Sequence, residues 1–157
     1  MSKKKYISEA RRAATIQINE LKKVKKIFNK SFTRAVDLIL NCKGKVIFAG
    51  IGKSGLIARK ISATFSSVGI PSFFCDPAQA LHGDMGQIEK KDILIIFSYS
   101  GNTSELNNML KYANRYRIKI IGVASKPDSV LLKASDIKIL LPKVKEADIT
   151  GMVPTSS

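Results

Sequence analysis

The sequence predicts an α/β protein: a three-layer αβα sandwich around a five-stranded parallel sheet, preceded by an N-terminal helical hairpin. Three observations predict it. Five short runs rich in Ile, Val and Phe, at 46–49, 72–75, 93–97, 119–124 and 137–141, show no period-two alternation, as strands covered on both faces do. Stretches with helical spacing, at 54–68, 103–117 and 130–134, separate them, and strand–helix repetition implies a parallel sheet with right-handed crossovers. A glycine-rich turn, Gly50-Ile51-Gly52-Lys53-Ser54-Gly55, joins the first strand to the helix behind it.

The front of the chain reads as two helices. Ser8 can cap the first, which runs to about residue 26 with Ile16, Leu21, Val24 and Phe28 near helical spacing. Ser31 can cap the second, with Ala35, Val36, Leu38, Ile39 and Leu40 inward and Gly44 as its stop. The expected organisation is therefore a hairpin at 1–44 and a single α/β domain at 45–157. The full length, 157 residues, suits one such core.

Composition excludes several classes. Hydrophobic residues make up 45% and charged residues 25%, so the chain is not of the disordered type. No apolar run approaches the ~20 residues that cross a bilayer. The basic start, MSKKKYISEARRAA, lacks the apolar core of a secretory signal. Cys42 and Cys75 form no CxxC pair and no metal spacing, and read as two buried reduced thiols. These features predict a soluble, cytoplasmic protein that does not enter a membrane.

The net charge is +15, of which residues 1–45 supply +10. A basic front can bind nucleic acid, but no recognition motif accompanies it and the aromatics are scattered. A solvated helix face is the plainer reading, and no nucleic-acid partner is expected.

In a parallel sheet, ligands lie beyond the carboxyl ends of the strands. There the sequence places Gly50–Gly55 after the first strand, and Asp76 and His82-Gly83-Asp84 after the second. Ser98-Tyr99-Ser100-Gly101-Asn102-Thr103-Ser104-Glu105 follows the third strand, and Lys143-Val144-Lys145-Glu146 the fifth. The first loop is not an ATP-type P-loop: GxxxxGK[ST] requires glycine at residue 47, where Ile47 stands inside the strand. It does match GxGxxG, with Asp76 near the position of a ribose-binding acid. Against a dinucleotide stand Lys53 inside the fingerprint and the second, serine-rich loop. Hydroxyls of Ser98, Ser100 and Thr103 around Gly101, with free amides at the next helix start, suit a phosphate monoester. Gly52 and Ser54 of the first loop would join them. A serine-rich helix cap is the structural alternative.

GIGKSG, PSFF, HGDMG, SYSGNTSE, VKEA and the final PTSS together resemble the sugar isomerase (SIS) domain. More closely they resemble the D-arabinose 5-phosphate isomerases, which interconvert D-ribulose 5-phosphate and D-arabinose 5-phosphate for 3-deoxy-D-manno-octulosonate and lipopolysaccharide synthesis. The resemblance covers about residue 10 to the end. It implies catalytic relevance for Lys53, Glu105 and Glu146, substrate contact through His82, and phosphate held by Ser98, Ser100 and Thr103. It implies a homodimer or homotetramer, for which the apolar stripe of the front hairpin is a candidate interface. Asp76 stands where many family members carry a metal-binding His, so no zinc site is expected. Relatives continue past PTSS with a long helix and a Ser-His-Pro-Gly-Gly segment, and many carry paired CBS domains; by resemblance the chain reads as a C-terminally truncated copy.

The chemistry expected of these residues is aldose–ketose isomerisation through an enediol. Glu105 is the candidate base, with enclosure raising its pKa. Lys53 could neutralise phosphate or enediolate, and His82 could protonate the ring oxygen or shuttle the O1/O2 proton. Glu146 could orient His82 or Lys53, or form a structural salt bridge. The competing functions are a sugar-phosphate sensor without catalysis and an isomerase of another phosphosugar.

Overall fold

A computed structural model describes residues 3–150 and 153–157. It divides into two compact units, Met1–Phe28 with Pro142–Ser157, and Asn29–Leu141. The expected boundary at 44/45 follows composition; the division by internal packing falls earlier, and the second helix belongs with the sheet.

The larger unit opens with α2 (Lys30–Leu40), numbered after α1 (Lys3–Lys23) of the other unit. There follow β1 (Val46–Gly50), α3 (Gly52–Ser67), β2 (Ser72–Phe74), β3 (Ile93–Phe97), α4 (Leu106–Tyr116), β4 (Lys119–Ala124), α5 (Val130–Ala134) and β5 (Ile137–Leu140). Two short 3-10 turns, Ala80–His82 and Asp84–Gln87, lie between β2 and β3. All five strands are parallel, in the order β2-β1-β3-β4-β5.

Alternate residues of each strand face opposite layers. Ile47, Ala49, Leu94, Ile96 and Ile120 pack on one face with Leu106, Met109, Leu110 and Ala113 of α4 and Leu131 and Leu132 of α5. Phe48 faces the other way, edge-on to Phe65 of α3 with ring centroids 5.0 Å apart. Leu38 of α2 lines a groove with Ile137 on that side. The burial expected on both faces holds for β1, β3 and β4. It does not hold for the edges: β2 is half-buried and β5 alternates buried and exposed, because an edge strand lacks a neighbour.

Several helix ends differ from expectation. α1 begins before Ser8, whose hydroxyl donates back to the Lys5 carbonyl instead of capping. The cap of α2 is Asn29, whose side chain accepts from the Ser31 amide. α2 stops at Asn41, short of Gly44. Gly44 instead makes room for a carboxylate, since a Cβ there would stand 2.1 Å from Oδ1 of Asp92. Asp92 is 1% exposed and accepts the Lys45 amide on one oxygen and the Glu89 amide on the other. Cys75 is buried as expected, but Cys42 only partly.

In the smaller unit, α1 continues into a 3-10 turn at Val24–Ile27. Glu20 is buried on its inner side, and Arg12 donates to the Ala147 carbonyl at 3.0 Å.

Candidate functional site

The strand order makes β1 and β3 neighbours, with Gly50 opposite Phe97 at their carboxyl ends. From there β1 leads outward to β2 and β3 leads the other way to β4. Connections that diverge from adjacent strands leave a crevice between them, the usual ligand position of an open parallel sheet. The two anion-type loops of the sequence are the two loops that border it.

The first loop turns directly into α3. Gly52 has φ +59, and a Cβ there would meet nothing within 4 Å. Ile51 occupies the cap position and offers no side-chain acceptor to the amides that follow. A sixteen-residue helix thus starts with its first-turn N–H groups uncapped, where the helix dipole favours an anion. Lys53 is exposed and forms no ion pair with the described residues, while Ser54 is half-buried.

The second loop is held by its own hydroxyls. Ser98 Oγ lies 2.9 Å from Thr103 Oγ1 and accepts from the Gly101 amide at 3.1 Å. Ser100 Oγ accepts from the Asn102 amide at 3.3 Å. Ser98 is buried, Thr103 half-buried and Ser100 exposed. Of the three hydroxyls expected to meet a phosphate, Ser98 therefore spends its bonding on the turn. Residues that sequence reading missed brace the loop from beneath. The Val130 amide donates to Asn102 Oδ1, the Leu131 amide to the Gly101 carbonyl, and Ser125 Oγ to the Tyr99 carbonyl. A Cβ on Gly101, at φ +66, would stand 2.2 Å from Ser129 Oγ. The one available sequence signal was Ser129 as the cap of α5.

Glu105 precedes α4 and is exposed. Its carboxyl is held below the usual range by its own backbone N–H and then by the Ser104 hydroxyl, which donates to it at 2.8 Å. The raised pKa expected from enclosure is thus absent, because water reaches the group. α4 itself starts at Leu106; Thr103–Glu105 form the turn before it.

His82 ends the 3-10 turn beyond β2 and is exposed. Gly83 follows at φ +128, a conformation that side chains resist. Asp76 Oδ1 accepts the Ala78 amide and turns the chain there. The Cys75 thiol is pushed up to about 11, first by burial and then by the charges of Asp84 and Asp76. Among the described residues, no three His, Cys, Asp or Glu side chains cluster as metal ligands.

Glu146 belongs to the smaller unit. One oxygen accepts the Thr155 amide at 2.6 Å, the Thr155 hydroxyl at 2.9 Å and the Ser156 amide at 2.8 Å. Burial opposes ionisation, but the Ser157 hydroxyl and these donors outweigh it and hold the carboxyl at about 2. The Ala147 amide donates to Thr155 Oγ1 at 2.7 Å. The donors that hold Glu146 are thus amides and hydroxyls of the final segment, and KEA and PTSS fold onto each other.

The SIS domain family model matches residues 39–157. The chain is 41% identical over 129 residues to the arabinose 5-phosphate isomerase KdsD of Escherichia coli K12, covering 82% of this chain and 39% of that protein. It spans less than half the length of the curated relatives it matches. A crystal structure from Listeria monocytogenes, described as a candidate sugar-phosphate isomerase, superposes with TM-score 0.94 at 32% identity, covering 99% of this chain and 82% of that one. A protein of E. coli CFT073 in complex with arabinose 5-phosphate superposes with TM-score 0.89 at 35% identity, covering 100% of this chain and 84% of that one.

Proposed function

Because the chain belongs to the SIS domain family, we propose that it is an aldose–ketose isomerase interconverting D-ribulose 5-phosphate and D-arabinose 5-phosphate. The observation that carries this reading is the pairing of two phosphate-type loops on adjacent strand tips, Gly50 beside Phe97. One loop offers uncapped helix amides and an exposed lysine; the other offers hydroxyls and a carboxylate at the next helix start. The E. coli relative that carries the same fold is itself described with arabinose 5-phosphate bound.

In this reading the phosphate is held by the loop Ser98–Thr103, with Ser100 and Thr103 presenting hydroxyls and Ser98 shaping the turn. Backbone N–H groups at Gly52 and Ser54 add to the anion cradle. Lys53 neutralises the enediolate oxygen as it forms. Glu105 takes the proton from one of the two carbons and returns it to the other; the ionised state found here is the one a base requires. His82 protonates the ring oxygen so that the open-chain sugar forms. Glu146 acts on chain order: its carboxylate gathers the final segment and is not available as a base. No redox or group-transfer cofactor is needed for a proton shift.

Supply of arabinose 5-phosphate to 3-deoxy-D-manno-octulosonate synthesis, and a cytoplasmic location, follow from the same proposal. Self-association as a homodimer or homotetramer belongs to it too. The exposed Phe32, Val36 and Leu40 on α2 and Leu56 and Ile57 on α3 are the apolar surface offered to a second copy. The testing experiment incubates the chain with D-ribulose 5-phosphate and follows the arabinose anomers by NMR. Turnover supports the isomerase. A melting shift with this sugar and no turnover gives a sensor instead.

A further inference from the structure

Resting on the reading that the loop Ser98–Thr103 holds a phosphate, we propose that Ser125 is a positioning residue. It grips the Tyr99 carbonyl and so turns the Ser100 amide toward the substrate phosphate. Ser125 stands one residue past the carboxyl end of β4 and is 6% exposed. Its amide donates to the Tyr99 carbonyl at 2.9 Å and its hydroxyl to the same oxygen at 2.8 Å. Two donors take both lone pairs of that oxygen, which fixes the plane of the Tyr99–Ser100 peptide.

This grip departs from the sheet ladder. Phe97 of β3 stands opposite Val123 of β4, and the Ser98 amide still donates to the Val123 carbonyl at 3.1 Å. One step further, an unbroken parallel ladder brings the Ser125 amide to the Ser98 carbonyl. Here the Ser98 carbonyl accepts the Gly101 amide at 3.0 Å, and Ser125 engages the next residue along. Pairing therefore slips by one residue where the chain leaves the sheet. The Tyr99–Ser100 bond is trans, so the Ser100 N–H points opposite to the Tyr99 carbonyl, away from β4. The strand on that side of β3 is β1, whose loop leads into the uncapped amides of α3.

The Ser100 N–H has no hydrogen-bond partner among the described residues, and Ser100 is exposed. Its neighbours are already engaged: the Gly101 amide turns back to Ser98, and the Asn102 amide donates to Ser100 Oγ. The far side of the loop is tied as well, by the Leu131 amide on the Gly101 carbonyl and the Val130 amide on Asn102 Oδ1. Ser100 thus offers an open donor within a loop fixed on both sides, as a preorganised oxyanion site requires. A serine that only ended β4 would be served by its amide bond alone. The added hydroxyl sets the angle of this one peptide.

The test uses the whole chain, with steady-state kinetics on D-ribulose 5-phosphate, inhibition by inorganic phosphate, and NMR of nitrogen-labelled serine amides. Ser125→Ala should raise KM and weaken phosphate inhibition about fivefold each, the weight of one neutral hydrogen bond, with kcat within about twofold. Ser125→Thr, which keeps the hydroxyl, should restore both. In the parent, inorganic phosphate should move the Ser100 amide proton downfield, and in Ser125→Ala it should move it less at saturation. The NMR comparison decides even if the threonine variant does not fold.

A lower melting temperature in Ser125→Ala with unchanged KM and phosphate inhibition would overturn the proposal and leave Ser125 a structural residue. A fall in kcat at constant KM would also overturn it, as would a Ser100 amide that phosphate does not move in the parent. A phosphate-shifted Ser100 amide without sugar turnover would support the positioning role while removing the isomerase reading. Neither phosphate binding nor turnover would remove both.

Discussion

The carbonyl oxygen of Gly50 lies 2.6 Å from where a Cβ on Gly55 would stand. Helix α3 therefore rests on the end of β1 backbone to backbone, and this contact fixes the direction of its uncapped amides. Gly55→Ala must push the helix off the strand, at a cost of about 1–3 kcal/mol. Thermal melting should show the loss. Gly52→Ala meets no atom but keeps a left-handed backbone, costing ~1–2 kcal/mol. A Gly55→Ala protein as stable as the parent would mean that the close approach is not kept in solution.

Lys53 is exposed and forms no ion pair with the described residues, so its removal should leave stability within about 0.5 kcal/mol. Lys53→Met is expected to lower kcat/KM by roughly 10²–10³ if it neutralises developing charge. Steady-state kinetics beside a melting curve separates this from misfolding. Lost activity with an equally lost melting temperature would assign the lysine to structure.

Glu105→Gln removes the proposed base and should cost about 10²–10⁴ in kcat. The carboxyl is held low by its own amide and the Ser104 hydroxyl. It is consequently ionised at and above pH 4.5, its ordinary value. The acid limb of kcat/KM should then fall only below that pH. An acid limb near neutrality would point to a different base.

Glu146 gives the clearest pH dependence. Its folded pKa, about 2, lies below the ordinary 4.5. A depressed carboxylate stabilises fully above the unfolded value, and that stabilisation fades as pH falls through the folded one. The Glu146 clasp should thus be whole above about pH 4.5 and open progressively toward pH 2. Hydrogen exchange at the Thr155 and Ser156 amides reads this directly. Glu146→Gln should expose both amides to exchange at neutral pH and cost about 1–3 kcal/mol locally. Amides that exchange alike in both proteins would remove the clasp.

Asp92 tests the amino end of the sheet. Asp92→Ala leaves the Lys45 and Glu89 amides unpaired and should destabilise by about 2–5 kcal/mol, read from urea unfolding. Activity per folded molecule should not change, because Asp92 stands before the amino end of β3 and the proposed site lies beyond its carboxyl end.

The five strands were legible because Ile, Val and Phe runs have few other uses in a chain of this polarity. Both strand-tip loops were legible for a related reason: Gly52 and Gly101 each take positive φ, which other residues resist. Helix starts were misread where several polar residues competed. Ser8 and Ser31 both resemble caps, but Asn29 is better placed for α2 and α1 runs through Ser8. Gly44 looked like a helix stop because nothing local reveals that Asp92, 48 residues on, needs its space. Glu146 shows the same limit. The resemblance implied catalytic relevance and the residue itself an orienting carboxylate or a salt bridge, whereas its partners, Thr155 and Ser156, were fixed only by the fold of the final segment.

The most direct test of the central claim runs the chain on D-ribulose 5-phosphate in deuterium oxide and follows carbon-bound hydrogen by NMR. The account predicts D-arabinose 5-phosphate carrying solvent deuterium at C2, with the signal lost in Glu105→Gln and reduced in Lys53→Met while both variants still fold. Arabinose 5-phosphate formed at the same rate in both variants would show that the two loops are not the site of the reaction.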